Sequence, residues 1–448
     1  MLQDPANIKD TLYNIISDME NNVGNYAKNP DKDFTRNRKL GFKTLVEFML
    51  SISGGSINKE IYKHFKTPNN IMTASAFVQQ RDKLSDNAFS DLFYTFNNKS
   101  KDSKLLNGKY RLLAVDGSDL HIATNKNSDS YVKPRKLKDG TTAEGYNLLH
   151  LNALYDVLNK TYTDCTIVPK NFCNERDEPI NMIKDKTFTE PTIVLADRGY
   201  PSMNMFAHFN HKENLHYLFR TQLNQYAFLR DLPDGECDVD KEITITTNRA
   251  YRYEHGYYFL KHYKQNGLVT KEYKGTTKFT PWDFGMFEKV KFRVLRFKIT
   301  DDTYETIFTS LPREEFSLQD IKKLYNKRWG IETSFRELKY SMGLLNFHSK
   351  REDFIIQEIY AHLIMYNYCE RIMRTIVVYQ CKDRQYSYQI NYTMAMLICM
   401  DYFKGLHPPE ELYNLISLYI LPIREGRKDK RKQKGIKSVV FFIYRIAA

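Results

Sequence analysis

Two apolar runs of strand length each end on an aspartate. Arg111-Leu-Leu-Ala-Val-Asp116 leads into Gly117-Ser118, and Thr192-Ile-Val-Leu-Ala-Asp197 leads into Arg198-Gly199-Tyr200. Both runs are too apolar for a surface strand and read as strands covered by other elements. Tyr146 to Val157 and Thr161 to Val168 add two more strand-like runs, and Glu178 to Lys186 has helical character. Strands followed by a helix and another strand predict an α/β core. An ionised Asp at the end of such a strand is costly to bury unless it is paired or binds a metal. Asp116 taken alone is also explained by a turn, since Asp-Gly opens turns readily. Two such residues in one α/β unit favour a metal site.

The flanking sequence has a different character. Residues 1–105 read as helical, with apolar positions at helical spacing through Leu45, Val46, Phe48 and Met49 and again through Phe77, Leu84, Phe89 and Leu92. Gln79, Gln80, Arg81 and Lys83 on one of these helices suit either a DNA groove reader or a plain bundle with a solvated face. Residues 222–303 alternate apolar and charged positions, as in Val290 to Ile299, and predict a β-rich insertion between a first core part, 106–221, and a second, 304–350. Residues 351–448 read as a helical region ending in a basic tail, Arg424 to Lys437. The segment from about 353 to 420 either packs on the core or supplies an interface to a second copy.

Composition narrows the function. Of 448 residues 42% are hydrophobic and 27% charged, which excludes a disordered chain. No apolar run is long enough for a transmembrane helix, and the start MLQDPANIKDTLYN lacks a secretory pattern, so a cytoplasmic protein is expected. The six cysteines include no C-x-x-C pair, which argues against a zinc ribbon and fits small reduced thiols. A net charge of +13 makes a polyanionic partner such as DNA plausible.

The most informative segment is the helix expected over Leu318 to Met342. At about 100° per residue, Tyr325, Arg328, Glu332, Arg336 and Lys339 fall within about 80° of arc, beside a stripe of Leu324, Ile331, Phe335 and Leu338. Such a ladder is either a solvated face with i,i+4 ion pairs or a face that grips phosphates around one carboxylate. Adjoining the apolar stripe and flanked by Trp329, it favours phosphates. Phosphoryl transfer on DNA fits carboxylates from distant parts of the chain holding divalent ions, with cations beside them for the backbone.

Tyr325-x2-Arg328-x3-Glu332-x6-Lys339 resembles the Y-R-E-K signature of bacterial DDE transposases of the insertion-sequence-four type. VDGS around Asp116 and ADRGY around Asp197 resemble that family's other two blocks. The resemblance implies an RNase H-like core interrupted by a β-rich insertion. It implies cut-and-paste transposition through a nick, a hairpin at the transposon end with a flipped base, hairpin opening and transfer into target DNA. Asp116, Asp197 and Glu332 would be the metal-binding triad, with two Mg²⁺ ions per site and Mn²⁺ as substitute. Tyr325, Arg328 and Lys339 would contact phosphates near the flipped base, joined by Arg336 of the same ladder. A Trp of the preceding strand stacks on that base in well-known members; here Tyr304-Glu305 occupies the place, and Tyr304 is the candidate stacking residue. The partners would be the terminal inverted repeats, target DNA and a second copy in a homodimer on paired ends. A nuclease on the same core and an inactive DNA-binding relative are the alternatives.

Overall fold

The computed structural model describes residues 4–36, 38–66, 71–100, 102–136, 140–222, 225–261, 263–265, 268–269, 280–300, 303–380 and 385–424. The predicted basic tail lies outside these residues beyond Arg424.

The first aspartate-bearing run becomes strand β1, Arg111–Ile122, which continues six residues past Asp116 instead of turning there. Its Leu112, Ala114, Leu120 and Ile122 enter one apolar cluster, while Leu113 and Val115 enter a second on the opposite face. Burial on both faces explains the unbroken apolar run. A short edge strand follows, β2 (Tyr131–Val132), then β3 (Tyr146–Asp156) and β4 (Thr161–Pro169). Strand β3 pairs antiparallel with β1, setting Asp116 opposite Ala153, and β4 pairs antiparallel with β3. Strands β5 (Thr192–Ala196) and β6 (Leu215–Thr221) extend the other side in parallel, with Val115 beside Ala196. The resulting order β4-β3-β1-β5-β6, with two antiparallel strands on one side and parallel ones on the other, is that of an RNase H-like core in a mixed α/β fold.

The β-rich stretch adds to this same sheet. Strands β7 (Cys237–Thr246), β8 (Tyr258–Phe259), β9 (Phe287–Thr300) and β10 (Thr303–Thr309) continue it in the order β6-β10-β9-β7-β8. Helices α1 (Pro5–Asn21), α2 (Phe42–Ser51), α3 (Ile57–Phe65), α4 (Ala74–Arg81) and α5 (Ala88–Lys99) form the N-terminal region. Two of the residues considered as groove readers are turned inward. Gln80 donates to the Leu40 carbonyl at 2.6 Å, and Arg81, 1% exposed, donates to Gln357 and Glu358.

Between the core strands lie α6 (Glu178–Ile183) and α7 (Met203–Asn210), and α8 (Arg249–His255) sits beside β8. The single helix expected over Leu318 to Met342 is built in pieces: α9 (Leu318–Asn326), α10 (Trp329–Arg336) and a π-helical segment, Glu337–Ser341. Between α9 and α10 the chain tightens, with i→i+3 bonds from Gly330 N to Lys327 O and from Ile331 N to Arg328 O. A Cβ on Gly330 would stand 3.1 Å from Val157 Cγ1, so glycine lets this turn approach the end of β3 closely. Helix α11 (Glu352–Met373) is buried along most of its length against the N-terminal helices and β4. That part of the segment weighed as an interface packs on the chain's own core. Helices α12 (Tyr392–Phe403) and α13 (Pro409–Leu418) follow and leave Leu397 and Leu418 exposed.

Candidate active site

Side-chain direction alternates along a strand, so residues sharing parity share a face. Ala114 of β1, Leu195 of β5, Leu218 of β6 and Ile307 of β10 all enter the cluster beneath α9, α10 and α11. By that parity Asp116, Asp197, Arg220 and Glu305 face the same side, and Glu332 of α10 is close enough there to act on Asp116.

Asp197 follows the last residue of β5. Its Oδ1 accepts the Arg198 backbone N–H at 2.7 Å and the Tyr325 hydroxyl at 3.4 Å, and lies 3.5 Å from an Arg220 nitrogen. Arg220 in turn binds Glu305 at 2.8 Å. Glu332 accepts from Arg328 Nη2 at 2.8 Å. Arg328 is 2% exposed, its guanidinium lies 5.7 Å from the Tyr325 ring and 5.4 Å from the Trp329 ring, and its Nε has no hydrogen-bond partner. Asp116 Oδ1 accepts the Gly117 N–H at 2.9 Å.

The electrostatics tie these groups together. Burial pushes the Asp116 carboxyl up to about 6; Glu332 and Asp197 push the same way, opposed by the Gly117 N–H and Arg328. Burial also raises Glu305, with Asp197 adding to it and Arg220 opposing. The Tyr325 hydroxyl is raised by burial and by Asp197. Anionic charge here exceeds what the resident cations offset, and the donors are hard carboxylate oxygens, a set that suits a hard divalent cation. Among the described residues no group of three or more His, Cys, Asp or Glu side chains is drawn together as a metal site. Asp197 is held instead by Tyr325 and Arg220, and Glu332 by Arg328.

The rest of the ladder spreads out. Lys339 Nζ donates to the Asp119 carbonyl of β1 at 3.0 Å, and burial lowers its ammonium despite Asp119 nearby. Arg336 is exposed. Tyr304 does not join the cluster: it shares parity with Phe308, which enters the second apolar cluster, and its ring lies 4.5 Å from the Arg296 guanidinium. An exposed aromatic next to Arg328 is Trp329, 59% exposed, its ring 5.4 Å from that guanidinium. Sequence reading missed Arg220 and Glu305. The alternation of Thr303–Thr309 carried a signal for Glu305, a charge in phase with Ile307; Arg220 had none without the sheet order.

Residues 107–368, more than half of the chain, match the family described as transposase DDE domain. No curated protein matches the chain. Among solved structures, the piggyBac transposase synaptic complex with hairpin DNA is similar at 9% sequence identity and a TM-score of 0.46, covering 96% of this chain and 88% of that one. With Asp116, Asp197 and Glu332 all inside the matched span, the chain belongs to the DDE transposase domain family.

Proposed function

We propose that this chain is a transposase of the insertion-sequence-four type, which cuts the terminal inverted repeats of its element by nick, hairpin and hairpin opening and joins the ends to target DNA. The observation that supports the reading is that Asp197, Glu332 and Arg328 all act electrostatically on the buried Asp116 carboxyl, with Arg328 hydrogen-bonded to Glu332. In this reading Asp116, Asp197 and Glu332 hold two Mg²⁺ ions, or Mn²⁺ in their place. Bound there, such ions supply an activated oxygen nucleophile and stabilise the leaving oxygen.

The chain's own residues do the remainder. Arg328 neutralises Glu332 and, buried with its Nε unpartnered, has a donor to spare for a phosphate oxygen. Tyr325 directs its hydroxyl toward Asp197, where it can pass from the carboxylate to a phosphate. Arg336 and Lys339 extend the cationic path along the backbone of the end. Stacking on a flipped base, assigned in the sequence to Tyr304, is better served by Trp329, whose exposed ring lies against Arg328. Two copies, one per end, form the working assembly.

The test uses labelled DNA carrying any inverted repeats found to flank the gene, incubated with purified protein and Mg²⁺. Ordered appearance of nicked, hairpin, opened and joined products is expected. Nicking without hairpin or joining at any defined end would leave a nuclease in place of a transposase.

A further inference from the structure

Past Glu332 the chain winds more widely than in α10. Over Glu337–Ser341 the turn is π-helical, and the Met342 N–H reaches back five residues to the Glu337 carbonyl at 3.1 Å. Such turns are rare and occur mostly singly, often at functional sites. Here alternate side chains fasten the turn to three different elements. Glu337 Oε2 accepts the Tyr366 hydroxyl of α11 at 3.1 Å. Lys339 Nζ donates to the Asp119 carbonyl of β1 at 3.0 Å. The Ser341 hydroxyl lies 3.4 Å from that of Thr393 on α12.

The Glu337 fastening reaches deepest. Tyr366 is fully buried, and its hydroxyl lies 3.2 Å from that of Tyr155 on β3. A tyrosine hydroxyl has one proton. With the Tyr366 proton given to Glu337, Tyr155 donates to the Tyr366 oxygen. The bonds thus run from the π-helical turn to the strand paired with the one that carries Asp116. Burial raises the Glu337 carboxyl, opposed by the Tyr366 hydroxyl and by Lys160.

We propose that Glu337 is a positioning residue: by accepting the Tyr366 hydroxyl it holds the π-helical turn, and the turn sets where Lys339 stands relative to Glu332. The proposal rests on the phosphate contact given to Lys339 above. Lys339 lies on the same wide turn as Glu337, and regular α-helical winding would bring it to a different angle around the axis. Charge alone gives the carboxylate the wrong sign for a helix that meets DNA. Removing an anion near phosphates strengthens binding. A positioning role predicts weaker binding when the side chain is truncated. Glu337→Ala and Glu337→Gln remove the same charge, and only the amide keeps an acceptor for Tyr366, so the two variants separate position from charge.

The experiment measures binding of the full chain to the labelled end DNA across a salt series, in chelator so that nothing is cut. Amide exchange is followed over 329–344 without DNA. Lys339→Ala should lower the slope of log affinity against log salt by about one, the loss of one phosphate contact. Glu337→Ala should lower it by about as much, weaken binding about tenfold, and add little further in the Lys339→Ala background. Glu337→Gln should bind at least as tightly as the parent. The Met342 amide should exchange about fivefold faster in Glu337→Ala than in Glu337→Gln, the worth of one hydrogen bond. Tyr366→Phe, which keeps the ring and loses the donor, should match Glu337→Ala and replaces it if that variant does not fold. Tighter binding by Glu337→Ala, equal behaviour of the two Glu337 variants, or additive losses with Lys339→Ala overturns the positioning of Lys339. Equal exchange overturns the hold on the turn. An unchanged slope in Lys339→Ala refutes the phosphate contact of the proposed function instead, and the exchange comparison then decides the hold by itself.

Discussion

The pair Arg81–Glu358 buries its carboxylate fully, the group Asp116–Glu332–Asp197 only in part, and the two meet opposite fates. Arg81 Nη1 lies 2.8 Å from Glu358, its Nε reaches Gln357 at 2.9 Å and its Nη2 the Phe354 carbonyl. His348 gives Glu358 a backbone N–H at 2.8 Å and a ring nitrogen at 3.2 Å. Burial alone would raise Glu358, but Arg81 and His348 outweigh it and hold the carboxyl at about 2. Asp102, gripped by Arg371 and Arg374, is likewise lowered against the pull of burial. At the other cluster, carboxylates outnumber what Arg328 and Arg220 neutralise, and Asp116 is pushed up to about 6. One arrangement is complete and fastens α4 to α11; the other is left short of positive charge, which is what a site for cations and a polyanion needs.

The largest effect expected from breaking this contrast is catalytic. Asp116→Ala, Asp197→Ala and Glu332→Ala should each lower end cleavage roughly a thousandfold or more, as for groups that act as a unit, and leave end binding intact. Gel-shift and cleavage assays on one DNA measure both; substantial Mg²⁺-dependent nicking by any of the three would remove that residue from the triad.

Next in size is the complete pair. Arg81→Met leaves Glu358 buried beside an uncharged chain and should cost about 3–5 kcal/mol of stability. Denaturant unfolding reads this directly, and a loss comparable to that of an ordinary surface substitution would show the pair to be dispensable.

The incomplete group should behave in the reverse sense. The folded Asp116 carboxyl keeps its proton up to about 6, above an unfolded value of about 3.9, so its contribution is intact at low pH and is lost as pH rises through about 6. In chelator at pH 7, Asp116→Asn should therefore be more stable than the parent by about 1–3 kcal/mol, a gap that closes toward pH 4. Adding Mg²⁺ should stabilise the parent more than the variant. Calorimetry across pH with and without the ion tests both statements, and a parent more stable than the variant in chelator at pH 7 would reverse the account.

The smallest effect separates steps of the reaction. Tyr325→Phe and Lys339→Ala should accumulate nicked DNA and lower hairpin yield about tenfold, the loss of roughly one charge-assisted contact. Trp329→Ala should share this phenotype and Tyr304→Ala should not. If nicking and hairpin formation fall together in all of them, the ladder is a general phosphate clamp.

Much of the candidate site was legible because its signals are local. Apolar runs ending in Asp116 and Asp197 revealed strands buried on both faces, and helical spacing brought Tyr325, Arg328 and Glu332 to one side. Lys339 was placed on that side by a uniform 3.6-residue period, which the π-helical segment breaks. The inward turn of Gln80 and Arg81 was hidden because their partners, Leu40 and Glu358, are far away in sequence. Tyr304 and Glu305 show the same limit at one-residue scale: neighbours in the chain, they point to opposite faces, and only the sheet decides which faces the site.

Strand β10 pairs with β6 although about eighty residues of chain separate them, and Glu332 follows only after that closure. Closing so long a loop costs little more than closing a short one, because the entropy grows only with the logarithm of length. The price falls on timing. During synthesis, Asp116 and Asp197 emerge well before Glu332, at a pace of roughly 5–20 residues per second. If Asp116, Asp197 and Glu332 act as the proposed triad, a nascent or prematurely ended chain carries two of the three carboxylates without the third, and the order of translation would keep an unfinished polypeptide from cutting DNA.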